Sequence, residues 1–284
     1  MSLDLNVRIE PDLPSVVDGA ISFETGATKE QTQDPSLCVY EHHGEGWGPS
    51  DRGSLPAFFE DLIQGKPLQL TFATKSVQDI DTLVAIALFL HRDLAVNPNT
   101  PGFVYTVVFV HRQGLASLAH VEESLARFLC MLRAYLPEKG LTKQVFSERL
   151  STALGWVREY ICNGQIPHVK TRPSPVRVLQ AGLNGFVFAQ TTGSLVDGWV
   201  DLYRLGFLRG FLIQIGKNDR LHVLAARKSF YVEFDLAKAS YLLNSLEASR
   251  GEPRAWEADP LWLRSPEAGT LTLSTDILKI LSKI

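Results

Sequence analysis

The chain is poor in cysteine. Cys38, Cys130 and Cys162 are the only three in 284 residues. They are odd in number and far apart, and no C-x-x-C occurs. This argues against a disulfide framework and a cysteine-type zinc site, and it favours a reducing compartment. Long apolar runs are also missing: TLVAIALFL is half of the roughly 18 residues that a membrane span requires. The N-terminal stretch MSLDLNVRIEPDLPSV has neither the basic nor the apolar region of a secretory leader. A cytoplasmic protein without membrane association is expected. Charge of one sign is lacking too. The formal net charge is −3, which gives no whole-protein attraction to nucleic acid or anionic lipid but leaves a local basic channel open. No G-x-S-x-G, Walker A or H-E-x-x-H motif occurs. HHGEGWGP contains G-x-G, but no helix opens behind it, so it is no dinucleotide fingerprint.

What is present is ordinary globular material, 45% apolar and 21% charged, enough for a core and for one large domain or two modest ones. Strands are expected at 16–24, 36–41 and 68–73. Ser54 reads as the N-cap of a helix that Gly65 stops. In DIDTLVAIALFLHRDL the apolar residues at 80, 83, 84, 87 and 88 lie on one helical face, with Asp79 or Ser76 as the cap. FVYTVVFV, 103–110, is apolar and rich in β-branched residues and reads as a buried strand. Helices follow at about 117–136 and 143–161. Strands alternating with helices predict an α/β domain, a largely parallel sheet with flanking helices, over 1–162. NGQIPHVKTRPSP, 163–175, reads as a linker. A smaller α/β domain is expected over 176–284. It contains strands at VRVLQAG and GFVFAQ, a hairpin around KNDR, and helices at SLVDGWVDLYRLGF, LAKASYLLNSLEAS and TDILKILSKI.

Chemistry concentrates where strands are expected to end, which is where ligands gather in a parallel sheet. CVYEHHGEGWGP places Glu41, His42 and His43 at such an end, before glycines that permit a tight turn. A carboxylate with imidazoles suits manganese, iron or zinc; a packed histidine beside a solvated one fits equally. Asp79 and Asp81 follow the third strand and open a helix, where capping alone could account for them. If the two strands are neighbours, the four side chains converge on a pair of divalent ions, which can activate water and steady displacement at phosphorus. His111 is expected at the end of the 103–110 strand, as a further ligand or a structural histidine, with Arg112 as a phosphate partner. Arg227 and Lys228 end a strand of the second domain and either grip a phosphate or are solvated. Cys38 lies inside an apolar strand, where a thiol is packing rather than a nucleophile.

These residues resemble the DHH phosphoesterases. VYEHHG is similar to that family's Asp-His-His signature, with Glu41 in the aspartate's place. The nearest branch has a tyrosine before the signature and a histidine-rich site acting on RNA ends. KSVQDIDTLVAIALFL resembles the His-x-x-x-Asp-x-Asp motif: Asp79 and Asp81 match, and Lys75 stands at the histidine. The family's last metal aspartate falls at Val108 or is displaced to His111. Asp18 corresponds loosely to another motif aspartate. Residues 176–284 resemble a divergent form of the small substrate-gripping domain, without its glycine-histidine signature. The order of motifs requires a permuted sheet.

The resemblance implies a manganese-dependent phosphodiesterase or exonuclease acting on nucleotides or short nucleic acid, its site in a cleft between two domains. His42, His43, Asp79 and Asp81 would bind metal. Asp81 and His111 would serve catalysis, and Lys75, Arg112, Arg227 and Lys228 would meet substrate phosphate. Lys75 could instead fill one ion's place with its own charge. The alternative is a degenerate relative without metal that binds nucleotide, or that serves a larger assembly through a homodimer or protein partner.

Overall fold

The fold is given by a computed structural model, which describes residues 6–34, 36–42, 53–77, 79–113, 115–136, 142–166, 176–216, 219–228, 232–251, 255–258, 261–266, 269–270, 272 and 274–281. The chain divides into two compact units. The first holds Met1–Arg112 and Arg127–Pro167; the second holds Gln113–Ala126 and His168–Ile284. The later crossing falls inside the expected linker, of which 167–175 lie outside the described residues. The earlier excursion, 113–126, breaks the expected continuity of 1–162.

The first unit is built on a four-stranded parallel sheet. Its strands are β1 (Val7–Ile9), β2 (Ala20–Phe23), β3 (Val39–Tyr40) and β4 (Thr71–Thr74), in the spatial order β1-β4-β2-β3. Helices α1 (Lys29–Gln33) and α2 (Ser54–Ile63) make the crossovers into β3 and β4, as parallel pairing requires. Phe23, Phe58 and Phe72 are fully buried and pack ring against ring with Tyr40 beneath the sheet. Burying rings of this size supplies most of such a core's apolar area.

Helix α3 (Ile80–Leu90) departs from the single-face expectation: every residue from Asp81 to Phe89 is buried. A helix apolar all round belongs inside a domain, and α3 packs against α2, β4 and α6 (Lys143–Asn163).

The expected strand at 103–110 is instead part of helix α4 (Thr100–Gln113). Phe103, Val104 and Val107 are buried while Tyr105 is 75% exposed. That is a period near 3.6, not 2. Phe103 packs on Phe128 of α5 (Glu123–Tyr135) and on Tyr160 of α6, so tertiary packing overrides the β-branched composition. Among the described residues of this unit, β4 is the last strand.

The second unit carries a six-stranded mixed sheet, β5-β6-β7-β8-β10-β9. The strands are β5 (Val176–Ala181), β6 (Phe186–Thr191), β7 (Arg209–Ile215), β8 (Leu221–Arg227), β9 (Glu257–Ala258) and β10 (Trp262–Arg264). Only β6 and β7 run parallel; β7 and β8 form the expected hairpin. Helix α7 (Leu195–Arg204) covers one face through Trp199. Helices α8 (Leu236–Ser249) and α9 (Ser274–Leu281) cover the other. Gly210 has no alternative: at φ +143° its side-chain position lies 1.9 Å from the Val187 carbonyl oxygen.

Glu247 of α8, 2% exposed, ties this layer together. One carboxylate oxygen accepts the Trp256 indole N–H at 3.1 Å, the Thr272 hydroxyl at 2.9 Å and the Thr270 hydroxyl. Removing it leaves three buried donors unsatisfied. Glu247→Ala is expected to cost on the order of 3 kcal/mol, measured by urea unfolding, whereas Tyr241→Ala on the exposed side of the same helix should change stability by less than about 0.5 kcal/mol.

Candidate metal centre

Strands β2, β3 and β4 run parallel, so their carboxyl ends open on one edge of the sheet. Each chain exit there delivers polar groups. β2 ends into Glu24, β3 into Glu41 and His42, and β4 leads through Lys75 to Asp79 and Asp81 at the start of α3. β3 and β4 are not neighbours. β2 lies between them, and its terminal Glu24 fills the gap that the expectation of adjacent strands left.

Two donor groups result. Ligand atoms of His42, Asp81 and His111 lie within 4.8 Å of one another, and so do those of Glu24, Asp79 and Asp81. Asp81 belongs to both. His111 arrives from the last turn of α4 rather than from a strand end.

A carboxylate lies beside Nδ1 of each histidine. His42 Nδ1 lies 2.9 Å from Glu24 Oε1, and His111 Nδ1 lies 3.7 Å from Asp81 Oδ1. The two Nε2 atoms face each other at 2.9 Å. Two imidazole nitrogens at this distance share either a proton or a cation. Nitrogens bound 2.0–2.1 Å from one ion stand about 3 Å apart, and a carboxylate on the far nitrogen is the usual support of a metal-binding histidine.

Local structure holds these groups in place. Glu24 has φ +52°, a left-handed conformation that costs a non-glycine residue of order 1 kcal/mol or more. Its N–H donates to the Tyr40 carbonyl at 2.9 Å. Glu41 is 2% exposed; its oxygens accept the Gly26 N–H at 2.7 Å and the His42 N–H at 2.9 Å. It thus braces two loops, and it belongs to neither donor group. Ser54 is the first residue of α2, with Gly53 as the cap, and its Oγ lies 2.6 Å from His42 Nδ1. Because Ser54 and Glu24 meet the same ring nitrogen, no serine–histidine–acid relay runs through His42. Asp79 occupies the cap position of α3, but its side chain makes no cap hydrogen bond, so capping does not account for it.

Charge is the dominant property of the site. Burial pushes the Glu24 carboxyl up to about 7, and Asp79 and Glu41 add to the rise. Asp81 is likewise pushed up to about 7 by burial and by Glu24, with His111 opposing. Burial holds His42 below its ordinary value against the pull of Asp81 and Glu41. Glu24 and Asp81, both withdrawn from water, resist ionising together without a counterion; a divalent cation could take the place of their protons. The donor set, imidazole nitrogen with carboxylate oxygen, fits manganese, iron or zinc.

Lys75 and Arg112 stand at the rim. Lys75 Nζ is 3.4 Å from the point a Gly26 side chain would occupy, and an Arg112 guanidinium nitrogen is 3.5 Å from the equivalent point at Gly53. Among the described residues Lys75 forms no ion pair with a carboxylate, so it does not fill an ion's place within the cluster. His43 lies outside the described residues. Asp18 precedes β2 and is exposed at the opposite end of the strand. Val108, one turn before His111, faces an apolar groove instead of the carboxylates. Arg227 ends β8 in the second unit with Lys228 just beyond it, and both belong to neither donor group; Arg227 donates to the Val232 carbonyl at 3.2 Å.

The pH dependence of stability follows from these shifts. Glu24 and Asp81 have folded values near 7, above the ordinary 4.5 and 3.8. A raised carboxyl favours the folded state only while protonated. Metal-free protein should therefore lose stability as pH rises from about 4.5 to 7, by on the order of 2–3 kcal/mol for Glu24 alone. His42, whose value is lowered, acts in the opposite sense below about 6.5. Urea unfolding in chelator across this range should show a flatter profile for Glu24→Gln than for the wild type; identical profiles would contradict the assignment.

Comparison of the chain with protein-family models, with curated proteins and with solved structures finds no match.

Proposed function

We propose that the protein is a divalent-metal-dependent phosphoesterase of the DHH-like kind, using manganese and acting on nucleotides or short nucleic acid. The observation that supports this most is the sharing of Asp81 between two donor groups, one rich in imidazole and the other in carboxylate. A carboxylate common to two cations is how paired-ion phosphoryl enzymes hold their metals together.

When bound, the metal would lower the pKa of a water and neutralise charge on phosphoryl oxygens. The chain's residues do the rest. Glu24 and Ser54 both meet the His42 ring at Nδ1, which leaves Nε2 turned toward His111. Asp81 lies 3.7 Å from His111 Nδ1 and offers its carboxylate to both donor groups. Lys75 and Arg112 present positive charge at the rim, where an anionic phosphoester would enter; the guanidinium can take two of its oxygens at once.

The reading is tested on chelator-stripped protein with a generic aryl phosphodiester. Turnover should require added manganese. His42→Ala and Asp81→Asn should each lower it by at least about 100-fold, and Lys75→Ala should raise KM with kcat nearly unchanged. Turnover independent of metal, or unaltered in His42→Ala, would overturn it. Manganese binding without turnover would favour the alternative, a degenerate relative that binds nucleotide without hydrolysing it.

A further inference from the structure

Ser54 opens α2 and is 1% exposed. Capping does not account for it, because Gly53 holds the cap position. A hydroxyl withdrawn from water needs a hydrogen-bond partner. Both polar groups of Ser54 turn to one atom. Its Oγ lies 2.6 Å from His42 Nδ1, and its backbone N–H donates to the same nitrogen at 3.4 Å. The hydroxyl also bonds the Glu24 carboxyl. Ser54 therefore stands where the chain exits of β2 and β3 meet the start of α2.

Opposite demands fall on His42 Nδ1. The Ser54 amide can only donate, so it suits a ring whose Nδ1 carries the lone pair. Glu24 Oε1, at 2.9 Å, can only accept once ionised, so it suits a ring whose Nδ1 carries the proton. Events at the far nitrogen decide between the two. A cation on Nε2 takes the lone pair there and puts the ring proton on Nδ1. A proton held on Nε2, toward His111 at 2.9 Å, leaves the lone pair on Nδ1. The neutral ring holds one proton in either case. A hydroxyl meets both demands, because turning its O–H bond converts it from donor to acceptor. With Ser54 beside Nδ1, the ring keeps one orientation while its proton changes place.

We propose that Ser54 is a positioning residue of the metal centre: its hydroxyl holds the His42 ring through both tautomers and so keeps Nε2 aimed where a cation binds. The inference rests on the metal-dependent reading above and adds a residue to it.

The test is calorimetric titration of the full chain with manganese after treatment with chelator and its removal. Ser54→Ala should bind the ion at least about tenfold more weakly than the wild type, the low end of what losing the partner of a metal-binding histidine costs. Ser54→Thr, which keeps the hydroxyl, should bind as the wild type does. Should Ser54→Ala fail to fold, Ser54→Cys carries the same expectation, since a thiol fills the space but bonds weakly. Unchanged affinity in Ser54→Ala would overturn the proposal. So would a loss that Ser54→Thr does not reverse, which would mark a packing role. A wild-type chain that binds no manganese would instead reject the metal centre itself, and the role of Ser54 with it.

Discussion

The site is governed by one electrostatic constraint: carboxylates buried together at the ends of parallel strands. Glu24 and Asp81 are withdrawn from water, and Asp79 stands close enough to repel both. Desolvation and like charge act in the same direction. The backbone also bears a cost, since Glu24 is held in a left-handed conformation that its side chain disfavours. Such an arrangement is stable only if protons or cations neutralise it. The pair of facing imidazole nitrogens at 2.9 Å offers donors of the kind that transition metals take.

The fold is what makes this concentration of charge achievable. A parallel sheet brings the exits of β2, β3 and β4 to one edge without long loops. Helix α3, buried on all sides, fixes Asp81 in its first turn so that the carboxylate cannot swing to solvent. Helix α4 brings His111 to the same place from a distant part of the chain, and it adds the groove wall on which Tyr105 and Val108 lie. The candidate donor His111 and the apolar Val104 and Val108 thus share one helix.

Much of this was legible in the amino-acid sequence. Strand-end logic located His42, Asp79 and Asp81, because a parallel sheet gathers its chemistry there whatever the details. The hairpin around KNDR and the long α6 carried clear local signals. FVYTVVFV did not: a short apolar run rich in β-branched residues fits a buried strand and a packed helix alike, and contacts of Phe103 with α5 and α6 decide between them. His111 was singled out for a strand end that does not exist, yet it joins the cluster from a helix end. Glu24 was missed although AISFE ends in an acid just as CVYE does; the rule that found Glu41 applied to it equally. Glu41 itself spends its oxygens on two backbone N–H groups, a role that only the folded loops reveal. The order of the strands, with β2 between β3 and β4, depends on long-range pairing that no local pattern encodes.

The central claim is that Asp81 is the carboxylate common to two cation sites. Equilibrium dialysis against manganese tests it most directly. The wild-type chain should bind two ions, Glu24→Gln should keep at least the one held by the histidines, and Asp81→Asn should lose both together. A single ion in the wild type, or an Asp81→Asn chain that still binds as the wild type does, would contradict it.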